Sequence, residues 1–129
     1  MPTDLEIITA HYAASAAGDL AGMLAPLTPS TRWREADGFP CAGVYVGPDA
    51  VRENVFEALG AMFDGYRLDV EEILDAGSTI VGIGTYSGTH RETGKSFQAR
   101  VAHLWRLRDG KVTSFEQITD TAMVRAAMA

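Results

Sequence analysis

The groups best suited to proton chemistry are His103, His11 and two neighbouring carboxylates, Glu35 and Asp37. His103 lies within SFQARVAHLWRL, where alternation sets Ala99, Val101, His103 and Trp105 against Gln98, Arg100, Ala102 and Leu104. A two-residue period puts these sets on opposite faces of a strand. His103 therefore shares an apolar face with an indole, where an ionisable side chain is costly unless it has a partner or a task. A buried neutral imidazole suits acid/base work near neutral pH, or orders a core through a hydrogen bond to Tyr12 or Gln117. Asp37 and Glu35 are the candidate general bases. The alternative for them is an exposed loop carboxylate and a strand-end charge. His11 sits about 60° from the centre of its helix's apolar face, at a pocket edge or a solvated rim. Gln117 alternates with Phe115 and Thr119, so it faces the interior, where it can bind a ligand carbonyl or orient His103. Trp33, Phe39, Trp105 and Phe115 are expected as pocket wall or core.

Other chemistries find less support. The three histidines are scattered, without the spacing of a metal site, and no metal or cofactor is expected. Gly82 and Gly84 form a G-x-G inside a strand, not between strand and helix, so dinucleotide binding does not follow. Cys41 has no adjacent base to activate it, and a lone cysteine cannot form an internal disulfide. A net charge of −6 argues against nucleic acid. No apolar run approaches a membrane span, and the basic start of a secretory signal is missing, so a soluble cytoplasmic protein is expected.

The secondary structure that holds these residues in place can be read from periodicity. Residues 4–17 read as a helix with Leu5, Ile8 and Tyr12 inward. A second short helix comes after Gly18-Asp19 and ends near Pro26. TRWREAD (31–37) reads as a strand and GFPCAGVY (38–45) as a loop. Gly47-Pro48-Asp49 opens a third helix, with Val51, Val55, Leu59 and Met62 as its inner stripe. Four strand-like runs start from Tyr66, with turns at Ala76-Gly77, Thr93-Gly94 and Asp109-Gly110. DTAMVRAAM closes the chain as a helix capped by Thr119 or Asp120. One domain, residues 1–129, is expected, of the α+β class.

Five segments carry a family resemblance: AAGDL (16–20), WREADGFPCAGVYVGPDAV (33–51), TGKSF (93–97), HLWRLRDGKV (103–112) and DTAM (120–123). The order of elements and these segments resemble the nuclear-transport-factor-2-like superfamily, in its SnoaL-like and ketosteroid-isomerase-like branch. The resemblance implies three N-terminal helices packed on a strongly curved antiparallel sheet that forms a cone-like pocket, the cystatin-like arrangement. In the steroid isomerases a loop Asp moves the proton while a Tyr and a protonated Asp stabilise the dienolate oxygen. Their Tyr position falls at His11 beside Tyr12, their protonated Asp at His103, and their catalytic Asp near Asp37 or Gly38. The pocket His of SnoaL-type cyclases matches His103, while their acid/base Asp falls on Gln117. The Asp-Arg-Asp set of limonene-epoxide-hydrolase relatives would need acidic neighbours for Arg100, which has Gln98 and Ala102.

The expected function is cofactor-independent acid/base catalysis, of isomerase, cyclase or lyase type, on a small apolar carbonyl compound such as a steroid- or polyketide-like molecule. Asp37 or Glu35 would take a proton. His103, with His11 and Gln117, would stabilise or protonate the oxyanion, and Tyr12, Val101 and the aromatic residues would line the ligand site. The competing expectation is a non-catalytic binding or dimerisation module. Arg100, Ala102, Leu104 and Ile118 on the outer sheet face suggest a homodimer interface.

Overall fold

The computed structural model describes residues 1–129. Helix α1 (Asp4–Ala17) starts at a capping box. Thr3 Oγ1 accepts from the Glu6 N–H, and the Glu6 carboxylate accepts from the Thr3 N–H. The helix stops at Gly18, whose φ of 69° is the left-handed conformation that glycine adopts without penalty. Helix α2 (Leu20–Leu24) starts from the Asp19 cap, and strands β1 (Leu27–Glu35) and β2 (Gly43–Val46) come next. The third helix is continuous but not uniform: α3 (Pro48–Val51), a π-helical segment (Arg52–Phe56) and α4 (Glu57–Met62). Strands β3 (Phe63–Asp75), β4 (Ile80–His90), β5 (Ser96–Arg108) and β6 (Lys111–Thr119) form a meander. Helix α5 (Thr121–Met128) ends the chain, capped by Asp120 through its bond to the Met123 N–H.

The architecture is α+β, but the expected strongly curved antiparallel sheet with a cone-like pocket is not found. The sheet is mixed and open, in the order β2-β1-β6-β5-β4-β3, and is neither closed nor strongly curled. β3 to β6 pair antiparallel as neighbours in sequence do, yet β1 lies parallel to β6. β2 and β3 remain at the two edges, far apart in the strand order. Helices covering one face, rather than the sheet rolling on itself, therefore make the interior. A second difference is local: the segment 38–45, read as a loop, contributes the start of β2, which pairs back on Arg32–Glu35.

Alternation decides which side chains enter that interior. The inward set of β5 is Phe97, Ala99, Val101, His103 and Trp105, all buried. Across the ladders, Gly82 of β4 and Gln117 of β6 lie opposite His103, and Phe115 lies opposite Trp105. The Asp109-Gly110 turn between β5 and β6 has φ of 52° and 76°, the left-handed pair that a tight hairpin requires. No helix is long and apolar enough to cross a membrane.

Candidate active site

A cavity of about 510 Å³ opens between the inner sheet face and the helices. The floor carries Trp33 and Glu35 from β1, His103 from β5 and Phe115 from β6. His11 and Ser15 come from α1. Phe56, in the π-helical segment, meets the Trp33 ring edge-on at 5.5 Å, and Leu59 comes from α4. Tyr66 of β3 and Tyr86 of β4 complete one wall, their ring centroids 5.5 Å apart.

Glu35 is the buried carboxylate of this cavity; Asp69 also lines it, but is exposed and paired with Arg67 at 2.9 Å. Glu35 ends β1 on the inward phase, next after Trp33, and is 2% exposed. Trp33 Nε1–H donates to Oε2 at 3.1 Å. The Cys41 thiol and the Gln117 amide donate to Oε1 at 3.3 and 3.4 Å. No cationic side chain pairs with it. Burial therefore dominates and pushes its pKa up to about 7, against the donors that favour the charged form. A carboxyl so placed can both accept and return a proton at neutral pH. Burial, with the Glu35 charge beside it, also raises the Cys41 thiol, so Cys41 stays protonated and acts as a donor.

Asp37, expected to share the role of base, lies outside. Its side chain is 91% exposed and sits 3.9 Å from the Arg34 guanidinium. The strand ends at Glu35, so alternation no longer directs the side chains beyond it.

His103 lines the cavity, but both ring nitrogens are committed. Nδ1 is 2.7 Å from the Tyr12 hydroxyl and Nε2 is 2.6 Å from the Tyr86 hydroxyl. Burial, and secondarily the neighbouring His11, lowers its pKa to about 3, so the ring is neutral. His11 is buried rather than at a solvated rim. Its Nδ1–H donates to the Met23 carbonyl at 2.9 Å, and burial lowers its pKa to about 4 despite that bond.

Several expected ligand contacts stand one layer back. Trp33, Glu35 and Phe115 line the cavity, but Tyr12, Phe39, Val101, Trp105 and Gln117 do not. The Trp105 indole donates to the Tyr12 hydroxyl at 2.8 Å. Tyr12 in turn stacks beside His103 in space that only Gly82 leaves open: a Cβ at residue 82 would lie 2.1 Å from the Tyr12 oxygen. The strand glycine that fails as a nucleotide motif is thus the hole that seats a tyrosine. Phe39 backs Tyr86 at 5.9 Å. Gln117 is held by the Ala36 N–H, which donates to its Oε1, so its amide hydrogens face Glu35 and Tyr86. Tyr86 and Tyr66 escaped the sequence reading. The available signal was the inward phase that Tyr86 shares with Ile80, Gly82 and Gly84. No three His, Cys, Asp or Glu side chains gather as a metal-ligand set.

The SnoaL-like domain family matches residues 8–115. An NTF2-like protein from Burkholderia thailandensis is 50% identical over 100% of this chain and 99% of its own, with a TM-score of 0.98. A second NTF2-like protein, of unknown function, from Burkholderia pseudomallei is 31% identical with 100% of both chains covered and a TM-score of 0.88. TerC, whose structure was determined with polyporic acid, is 28% identical over 96% of both chains, with a TM-score of 0.85. A search of curated proteins finds no match. This chain belongs to the SnoaL-like domain family of the nuclear-transport-factor-2-like superfamily.

Proposed function

We propose that this SnoaL-like domain catalyses proton transfer, without a cofactor, on a small and largely apolar compound bearing an enolisable carbonyl. Glu35 takes the α-proton and returns it elsewhere on the molecule, which gives an isomerase, cyclase or lyase outcome according to the bonds in the substrate. The observation that carries this reading is Glu35 itself: a carboxyl 2% exposed, in an aromatic-walled cavity, with three donors and no cation paired to it, the lining Arg67 being engaged by Asp69. The neutral His11 and His103 rings add polarity without a charge that would draw the proton away from Glu35. Glu35 thus takes the role expected first of Asp37, for which Glu35 was the alternative. That TerC, 28% identical, was co-crystallised with polyporic acid supports a cyclic, oxygen-bearing ligand for this chain.

Deuterium exchange tests the assignment. The protein is incubated in D2O with a panel of cyclic ketones and quinones, and loss of α-proton signals is read by NMR. Glu35→Gln is expected to slow exchange by about 100-fold or more. Equal exchange in the variant removes Glu35 from the chemistry.

A binding protein is the second reading, favoured by one observation: both His103 nitrogens are used by tyrosines, so the ring cannot itself reach a ligand. Tight binding with no exchange for any bound compound selects it. We also propose a cytoplasmic homodimer joined through the outer sheet face. There Ile118 is 53% exposed opposite Ala102, beside Arg100 and its ion pair with Glu71. Ile118→Glu should shift the protein to monomer in light scattering.

A further inference from the structure

We propose that the Tyr86 hydroxyl is the donor that receives a ligand's carbonyl oxygen, its proton turned into the cavity by a one-way hydrogen-bond chain that starts at Trp105. The inference deepens the reading above by naming the group that holds the substrate's oxygen.

The direction is set by the inventory of donors and acceptors. An indole N–H only donates. Trp105 Nε1 therefore gives its hydrogen to the Tyr12 oxygen. Tyr12 has one further polar partner, His103 Nδ1. If Tyr12 donates there, every hydrogen in that buried corner has an acceptor. If instead Nδ1–H donated to Tyr12, the Tyr12 proton would be left buried without one, and the desolvation of that donor would go uncompensated. The neutral imidazole then carries its hydrogen on Nε2 and donates it to Tyr86. Gln117 also donates to the Tyr86 oxygen, at 3.0 Å. Its orientation is set by the Ala36 N–H, which likewise can only donate. Tyr86 accepts from both neighbours and donates to neither. Its proton is left to the cavity side, where its one other hydrogen-bonding neighbour is the Tyr66 hydroxyl, and Tyr66 lines the same cavity.

This gives the cavity a chemical preference. It offers an O–H donor backed by an imidazole N–H and an amide N–H, so an acceptor oxygen is favoured, and one gaining negative charge most of all. Glu35 Oε1 and the Tyr86 oxygen sit on the two hydrogens of one Gln117 amide. The fork of that NH2 group sets them about 5–6 Å apart. One α-carbon and its adjacent carbonyl oxygen can bridge that gap. Gln117 is a positioning residue that fixes the spacing of proton acceptor and oxygen donor.

Two measurements on the full chain test this. Histidine-labelled 15N protein gives the tautomer of each ring at neutral pH, with His11→Gln and His90→Gln used for assignment. His103 is expected to carry its proton on Nε2. Trp105→Phe, lacking the donor that sets the direction, is expected to give a mixture. A proton on Nδ1 in the native chain overturns the proposal. The second probe is 2-acetylnaphthalene labelled at its carbonyl carbon. Its C=O stretch in the native protein should fall below the value in hexane. Tyr86→Phe should restore it and weaken binding roughly three- to tenfold. No binding by the native chain, or an unshifted stretch there, also overturns it. Both readouts are independent of deuterium exchange, so failure here leaves Glu35 standing, and loss of Glu35's role leaves the Tyr86 donor standing.

Discussion

Glu35 and Asp37 are two residues apart and carry the same functional group, yet they inhabit different solvents. Glu35 is the last residue of β1, turned inward among Trp33, Cys41 and Gln117. Asp37 lies in the connecting segment, one residue past Ala36, 91% exposed beside Arg34. One carboxyl is governed by desolvation, the other by water and a screened ion pair. The difference shows that the reactivity of an acidic side chain here comes from where a strand stops, since both residues share the short run TRWREAD.

Paired substitutions put this contrast at risk. The largest effect is expected in deuterium exchange: Glu35→Gln lowers it about 100-fold or more, while Asp37→Asn keeps it within about twofold. A similar loss in both variants would erase the distinction between inside and outside. Next comes Gly82→Ala, which needs the space of the Tyr12 hydroxyl. The clash and the displaced ring should cost about 2–3 kcal/mol in urea unfolding, and an unchanged midpoint would mean that the Tyr12 seat is not fixed.

The third contrast is in the pH dependence of stability. The folded pKa of Glu35, about 7, stands above the ordinary 4.5. Between these values the unfolded chain has released a proton that the native chain keeps, so this group's stabilisation is full below pH 4.5 and is lost as pH rises through 7. Glu35→Gln should therefore gain stability relative to the native chain across that window, on the order of 3 kcal/mol by pH 8. His11 and His103 act in the opposite sense. Their folded pKa values are depressed from 6.5 to about 4 and about 3, so their contribution is present above 6.5 and drains away as pH falls through the folded values. Smallest of all, Asp37→Asn should change stability by less than about 0.5 kcal/mol at any pH, because an exposed pair at 3.9 Å is worth little.

Much of the fold was legible before the structure. The helix over residues 4–17, the hairpin turns at Thr93-Gly94 and Asp109-Gly110 and the inward phase of His103 are all products of local periodicity and turn chemistry, and the structure has them. The site was legible in part. His103, His11, Trp33, Glu35 and Phe115 line the cavity, whereas Asp37 does not, and Trp105, Tyr12 and Gln117 act through neighbours. Tyr86 was overlooked because a tyrosine among strand glycines looks like packing until the cross-strand register sets Gly82 opposite His103.

The amino-acid order by itself determined short-range features: the period of each run, the caps and the turns, because these depend on backbone sterics and neighbours a few positions away. Only the tertiary structure decided that β1 lies parallel to β6 in an open sheet and that its last residue is buried. It alone joined Trp105, Tyr12, His103 and Tyr86 into one directed chain. These partners are separated by up to 93 positions, and which of two similar carboxyls loses its water depends on contacts made across that distance.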